Sequence, residues 1–257
     1  MSGLPEILDC CAFYGRPAVP PGRPYLSPGD ALAEMDRLGI AERWFADYRA
    51  LEGSPALGNR LLAEELSGQP RLHPVWIVLP PGTGELPGPE DQLAAMARAG
   101  VHMVRAEPER HGWSLAEWCS GALWAALERA RVPVLLDAAG KWDALDALLS
   151  AHPRLPVLLT DSGYRALRML CPLLERHGNL LIETSAYLAN EGLAELAGRF
   201  GAGRLVFGTG SPVLAPEASL GTLRLSSLSG PDLAAAAGGN LRRLLDAARR
   251  GLAEAGR

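Results

Sequence analysis

The sequence predicts an α/β fold, a single (β/α)8 TIM barrel. Three observations lead there. Eight short, β-rich apolar runs alternate with longer helical patterns from end to end, which implies a parallel sheet with right-handed crossovers. Several runs are continuously hydrophobic (Pro133–Leu136, Pro156–Leu159, Asn179–Ile182), as strands buried on both faces should be. The length, 257 residues, is close to that of one such barrel. An open doubly wound sheet is the alternative arrangement.

The candidate strands are Glu6–Phe13, Ala41–Asp47, Leu72–Leu79, Val101–Ala106, Val132–Asp137, Leu155–Thr160, Leu180–Thr184 and Arg204–Gly208. Between them, Ser27-Pro28 opens a helix before Ala31–Leu38, with Pro28 suited to its first turn. Ser114 precedes a helix whose apolar face is read as Leu115, Trp118, Cys119, Ala122 and Leu123. Pro231 and Asp232 begin the last helical region, which Gly238-Gly239 is expected to interrupt before Asn240 caps a final helix. The Pro/Gly-rich segments Pro17–Gly22 and Pro80–Pro89 each follow a strand, so no linker divides the chain. Residues 1–257 are therefore expected to form one domain, with 231–257 as its C-terminal helical region.

Hydrophobic residues make up 48% of the chain and charged residues 21%, ordinary values for a globular core. The net charge is −4 and the arginines are scattered, a poor surface for nucleic acid. Residues 1–13 lack the basic start and apolar stretch of a secretion signal, and no run approaches the roughly 18 apolar residues of a membrane helix. Cys10, Cys11, Cys119 and Cys171 show no zinc or disulfide spacing, so a reduced, cytoplasmic setting is expected. Homo-oligomer formation is left open.

Active faces of such barrels lie at the C-terminal ends of the strands. The sequence places Asp9, Cys11, Phe13, Asp47 and Arg49 there, followed by Arg105, Glu107, Asp137, Asp161, Glu183, Thr184 and Gly210. His73, His102, His152 and His177 fall near strand starts, at the opposite end; only His111, after the fourth run, is placed where it could reach the mouth, with a solvated loop histidine as its structural alternative.

Several motifs resemble one family. Asp9-Cys10-Cys11-Ala12-Phe13, Leu135-Leu136-Asp137, Thr160-Asp161-Ser162-Gly163, Phe207-Gly208-Thr209-Gly210-Ser211-Pro212 and Gly239-Asn240-Leu241-Arg242-Arg243-Leu244-Leu245 follow one another in the order seen in amidohydrolase-related, metal-dependent hydrolases, a group with decarboxylase-type members. In that family the first motif reads Asp-x-His-x-His, the next two carry histidines, and the fourth reads Phe-Gly-Thr-Asp. The resemblance therefore puts Cys11, Phe13, Asp137, Asp161 and Gly210 where the family has metal ligands. Phenylalanine and glycine offer no donor, and a lone thiol with two carboxylates is a poor transition-metal set. No cofactor is expected, with a weakly bound divalent cation left open.

What the resemblance implies is an amidohydrolase-like hydrolase, or related lyase, acting on a small carboxylate- or carbonyl-bearing molecule. Asp137 and Asp161 are the candidate catalytic pair, because two nearby carboxylates shift each other's proton affinity and can serve as acid and base. Arg105 and Arg49 are candidates for holding a substrate carboxylate, with Cys11, Glu183 and His111 as further substrate contacts. Each has a structural alternative: Arg105 neutralising Glu107 or Asp137, Cys11 filling the core, Glu183 bracing the barrel. A non-catalytic ligand-binding or scaffold protein on the same barrel is the alternative function.

Overall fold

The computed structural model describes residues 5–19, 22–138, 140–187 and 191–255, so the outermost residues of the expected 1–257 span lie outside the described residues. The strands are β1 (Leu8–Tyr14), β2 (Glu42–Asp47), β3 (Leu72–Pro74), β4 (Trp76–Ile77), β5 (Val104–Ala106), β6 (Val134–Leu136), β7 (Val157–Leu159), β8 (Leu180–Glu183) and β9 (Leu205–Val206). All their pairings are parallel. β3 and β4 are two halves of one barrel stave, interrupted at Val75, whose amide still reaches the Phe45 carbonyl at 2.7 Å. The ring closes where Cys10 N–H donates to Phe207 O (3.0 Å) and Phe13 N–H to Ser211 O (2.8 Å). The barrel expected from the sequence is the fold observed.

Strand alternation divides the apolar residues into two bodies. Leu8, Trp44, Ile77, Met103, Leu135, Leu158, Leu181 and Val206 fill the barrel, while Phe45, Val104, Leu136, Leu159, Ile182 and Phe207 face the helices. A one-residue bulge between Asp9 and Ala12 turns both Cys10 and Cys11 inward, and the alternation resumes with Ala12 out and Phe13 in.

The helices are α1 (Pro28–Leu38), α2 (Tyr48–Glu52), α3 (Pro55–Glu65), α4 (Pro89–Ala99), α5 (Glu117–Arg129), α6 (Trp142–Ala151), α7 (Leu167–Arg176), α8 (Gly192–Phe200), α9 (Pro216–Leu225), α10 (Gly230–Ala234) and α11 (Asn240–Ala255). Ser27 caps α1 as read from the sequence, accepting from Asp30 N–H at 3.2 Å.

Three readings are corrected. Gly238-Gly239 does not break the chain: Ala235–Gly239 forms a π-helical turn running into α11, and a Cβ at Gly238 would sit 2.9 Å from the Glu6 carbonyl. The glycines serve close packing against β1. Asn240 is no N-cap either. Its buried amide donates to the Ala202 and Leu205 carbonyls, both at 2.8 Å, pinning α11 to the base of β9. Leu241, Leu244 and Leu245 of α11 then plug the lower end of the barrel. On α5, Trp118 is 84% exposed rather than on the buried face, which Leu123, Trp124 and Leu127 form instead.

The closure seam carries a buried ion pair. Arg43 Nε lies 2.7 Å from Asp9 Oδ2, with both side chains fully buried between barrel and α1. Asp9 also accepts from Thr209 N–H (2.9 Å), the Thr209 hydroxyl (2.7 Å) and Cys11 N–H (3.2 Å). Arg43 Nη1 donates to the Tyr25 hydroxyl (2.9 Å) and Glu34 (3.0 Å). Removing one partner strands the other charge in the interior. Arg43→Ala is expected to cost about 3–5 kcal/mol in urea unfolding; a loss under about 1 kcal/mol would show the pair is dispensable.

Candidate active site at the barrel mouth

A cavity of about 320 Å³ opens at the C-terminal ends of the strands. Its walls include Cys11 and Phe13 from β1, Tyr48 after β2, Arg105 from β5, Asp137 after β6, Thr160 and Asp161 after β7, and Glu183 from β8. A larger groove of about 590 Å³ runs between α3 and α4, but its charged residues Arg60, Glu64 and Arg98 are all exposed. The mouth differs in gathering buried ionisable groups, and chemistry depends on those.

Arg105 stands at its centre. Burial works against its charge, but Glu107, with Oε1 2.5 Å from Nε, and Cys11 together more than offset it. Nη1 lies 3.4 Å from the Cys11 sulfur, and the guanidinium carbon sits 4.8 Å from the centre of the Phe13 ring. Glu183, on β8, is completely buried. Its carboxylate accepts from Ser185 N–H and the Ser185 hydroxyl, each at 2.7 Å. Burial dominates these bonds and pushes the carboxyl up to about 7. Gly208 makes the room: a Cβ there would fall 2.2 Å from Glu183 Oε1. Burial likewise pushes the Cys11 thiol far up, so it is a neutral thiol and not a nucleophile.

Two hydroxyls complete the lining. Tyr48 is 6% exposed and Thr160 5%, and neither hydroxyl has a hydrogen-bond partner among the described residues. The Tyr48 ring stacks on Phe13 at 5.5 Å, and its phenol is pushed up to about 12, chiefly by burial, so it stays a donor at ordinary pH. An unpartnered buried hydroxyl costs about 1–3 kcal/mol, a cost that a polar ligand would relieve.

Of the residues expected at the mouth, Cys11, Arg105, Asp137, Asp161 and Glu183 line the cavity together. Asp137 is half-buried and engaged, while Asp161 is exposed with a left-handed backbone (φ 52°). Arg49 is drawn away: it forms a two-pronged pair with Asp47 (2.9 and 2.6 Å) and reaches Glu65 at 2.8 Å. His111 braces its loop, with Nε2 3.0 Å from the Leu51 carbonyl. Tyr48, Thr160, Ser185 and Arg110 were not singled out in the sequence. Tyr48 and Thr160 adjoin strand ends that were located, and that adjacency was the available signal.

Among the described residues, no three His, Cys, Asp or Glu side chains are grouped to hold a metal ion. The donor chemistry agrees: the Cys11 thiol is held protonated, Phe13 has no donor, and a guanidinium sits against both. These residues do not fit a transition metal.

A closed parallel barrel with an acid-rich, arginine-centred mouth thus defines the class. The chain belongs to the amidohydrolase family, whose family model matches residues 10–247. Solved structures share the fold. An uncharacterised TIM-barrel protein from Bordetella bronchiseptica superposes with a TM-score of 0.73 at 20% identity, covering 95% of this chain and 99% of that one. The 2,6-dihydroxybenzoate decarboxylase from Rhizobium gives 0.72 at 17% identity, covering 95% and 99%. A dihydroxybenzoic acid decarboxylase from a Polaromonas species, with bound manganese and the inhibitor 2-nitroresorcinol, gives 0.71 at 16%, covering 95% and 97%. No curated protein matches the sequence at a significant level.

A carboxyl raised from 4.5 to about 7 makes the folded state bind a proton the unfolded chain releases. Its contribution is therefore most favourable at low pH, and stability falls as pH rises from 4.5 through about 7. Glu183→Gln removes that penalty. Its melting temperature relative to the parent is expected to be higher at about pH 8 than at about pH 5; equal differences at both would mean Glu183 titrates normally.

Proposed function

We propose that the protein is an amidohydrolase-like hydrolase, or related lyase, acting on a small carboxylate-bearing molecule in the barrel mouth. The observation that carries this reading is the buried Glu183 carboxyl, poised to exchange a proton near pH 7 in a cavity that also holds a fixed guanidinium. Arg105 anchors the substrate carboxylate, with Arg110 at the rim. A bound anion raises the proton affinity of Glu183 further, so Glu183 enters the reaction as the acid. Asp137 and Asp161, across the cavity, are the candidate base. Tyr48 and Thr160 meet the substrate's other polar atoms.

The decarboxylases sharing this fold act on small aromatic carboxylates, by their names, which supports the carboxylate reading. No step in this scheme is routed through a metal, and no tightly held cofactor is proposed. Among the described residues no helix is long and apolar enough to cross a membrane. The four cysteines are unpaired, which suits the reducing cytoplasm. The partner is a small molecule.

A screen of small aromatic and aliphatic carboxylates tests the proposal. Turnover is expected, with a kcat/KM limb that falls above an apparent pKa of about 7, the value of the free protein. Glu183→Gln should lower kcat by about 10²–10⁴ and abolish that limb. Tyr48→Phe, which keeps the ring, should mainly raise KM. Saturable carboxylate binding without turnover would favour the non-catalytic binder instead.

A further inference from the structure

We propose that the Arg105 guanidinium is the resident cation of this mouth, taking the place a divalent metal would occupy, and that it keeps such metals out. The inference rests on the reading of the mouth as the functional site and goes beyond it. Glu107, Asp137, Asp161 and Glu183 all line one cavity, an arrangement that attracts a positive charge. The protein supplies that charge itself. Arg105 is 7% exposed and reaches into this ring from β5, with Glu107 at 2.5 Å from Nε.

Its remaining neighbours fit a guanidinium and not a metal ion. Phe13 gives a ring face 4.8 Å from the guanidinium carbon, and Cys11 gives a neutral sulfur 3.4 Å from Nη1. Ring faces and protonated thiols are poor ligands for a hard divalent ion but good neighbours for a flat, weakly hydrated cation. A guanidinium is always charged and cannot be chelated away. It also has five N–H donors, so beyond Glu107 and Cys11 it can grip a carboxylate through two parallel hydrogen bonds. The site would then recognise anions by hydrogen-bond geometry where a metal would do so by coordination. A divalent ion brought into the same cavity would meet like charge in a medium that screens poorly.

Electron paramagnetic resonance of Mn²⁺ added to purified, chelator-treated protein tests this without reference to turnover. The parent protein is expected to leave the spectrum as in buffer. Arg105→Met, which keeps the aliphatic stem, leaves Glu107 without its counter-charge and should bind Mn²⁺ about tenfold more tightly or better. Arg105→Lys keeps a charge and should behave as the parent. Circular dichroism checks each fold, and Arg105→Gln replaces Arg105→Met should that variant not fold. Two results would overturn the proposal: Mn²⁺ bound by the parent and lost with Asp161→Asn, or no gain on removing the arginine. Failure of every carboxylate to turn over would count against the proposed activity and leave this result standing.

Discussion

One constraint organises the mouth of this barrel: a permanently charged guanidinium held inside the strand ring must have its counter-charges and neighbours arranged around it. Arg105 has Glu107 two residues on, Phe13 beneath its plane and the Cys11 sulfur at its edge. Each neighbour depends on another local feature. The bulge in β1 is what turns Cys11 inward while leaving Phe13 inward too, since strict alternation from Leu8 would have sent both outward. Gly208 leaves the volume that the Glu183 carboxyl fills, and that carboxyl stays within the cation's field.

The same β1 segment joins the site to the stability of the fold. Asp9, outward-facing, anchors the seam through Arg43 and Thr209, and Cys11, two residues on, faces the cavity. The backbone that closes the barrel is thus the backbone that positions the site. Two buried arginines serve two purposes on opposite sides of one wall. Arg43 is fully buried and enclosed by Asp9, Tyr25 and Glu34, which makes it structural. Arg105 is nearly as buried yet lines an opening, which makes it available.

Much of this was legible in the sequence because strand runs such as Val134–Leu136 and Val157–Leu159 are short and apolar throughout, and because barrel geometry converts strand ends into a ring. That logic found Arg105, Asp137, Asp161 and Glu183 at the mouth. It failed where tertiary contacts outweigh local preference. Gly238 reads as a helix breaker, but its missing Cβ is a packing requirement against Glu6. Asn240 reads as a cap, but its amide finds two carbonyls near β9. Arg49 lies at the right strand end, yet its side chain turns toward Asp47 and Glu65. The rank of the acids was also hidden, since proton affinity depends on burial: Glu183 is enclosed while Asp161 is exposed, and no spacing rule distinguishes them.

The central claim is that Glu183 shares its proton near neutrality inside an intact, ligand-free barrel. The most direct measurement is carbon-13 NMR of protein labelled at the glutamate side-chain carboxyl, titrated through the neutral range and assigned by the resonance missing in Glu183→Gln. That resonance is expected to titrate with a midpoint of about 7. A midpoint at the ordinary glutamate value of 4.5 would contradict it, and the mouth would then lack the acid on which the proposed chemistry depends.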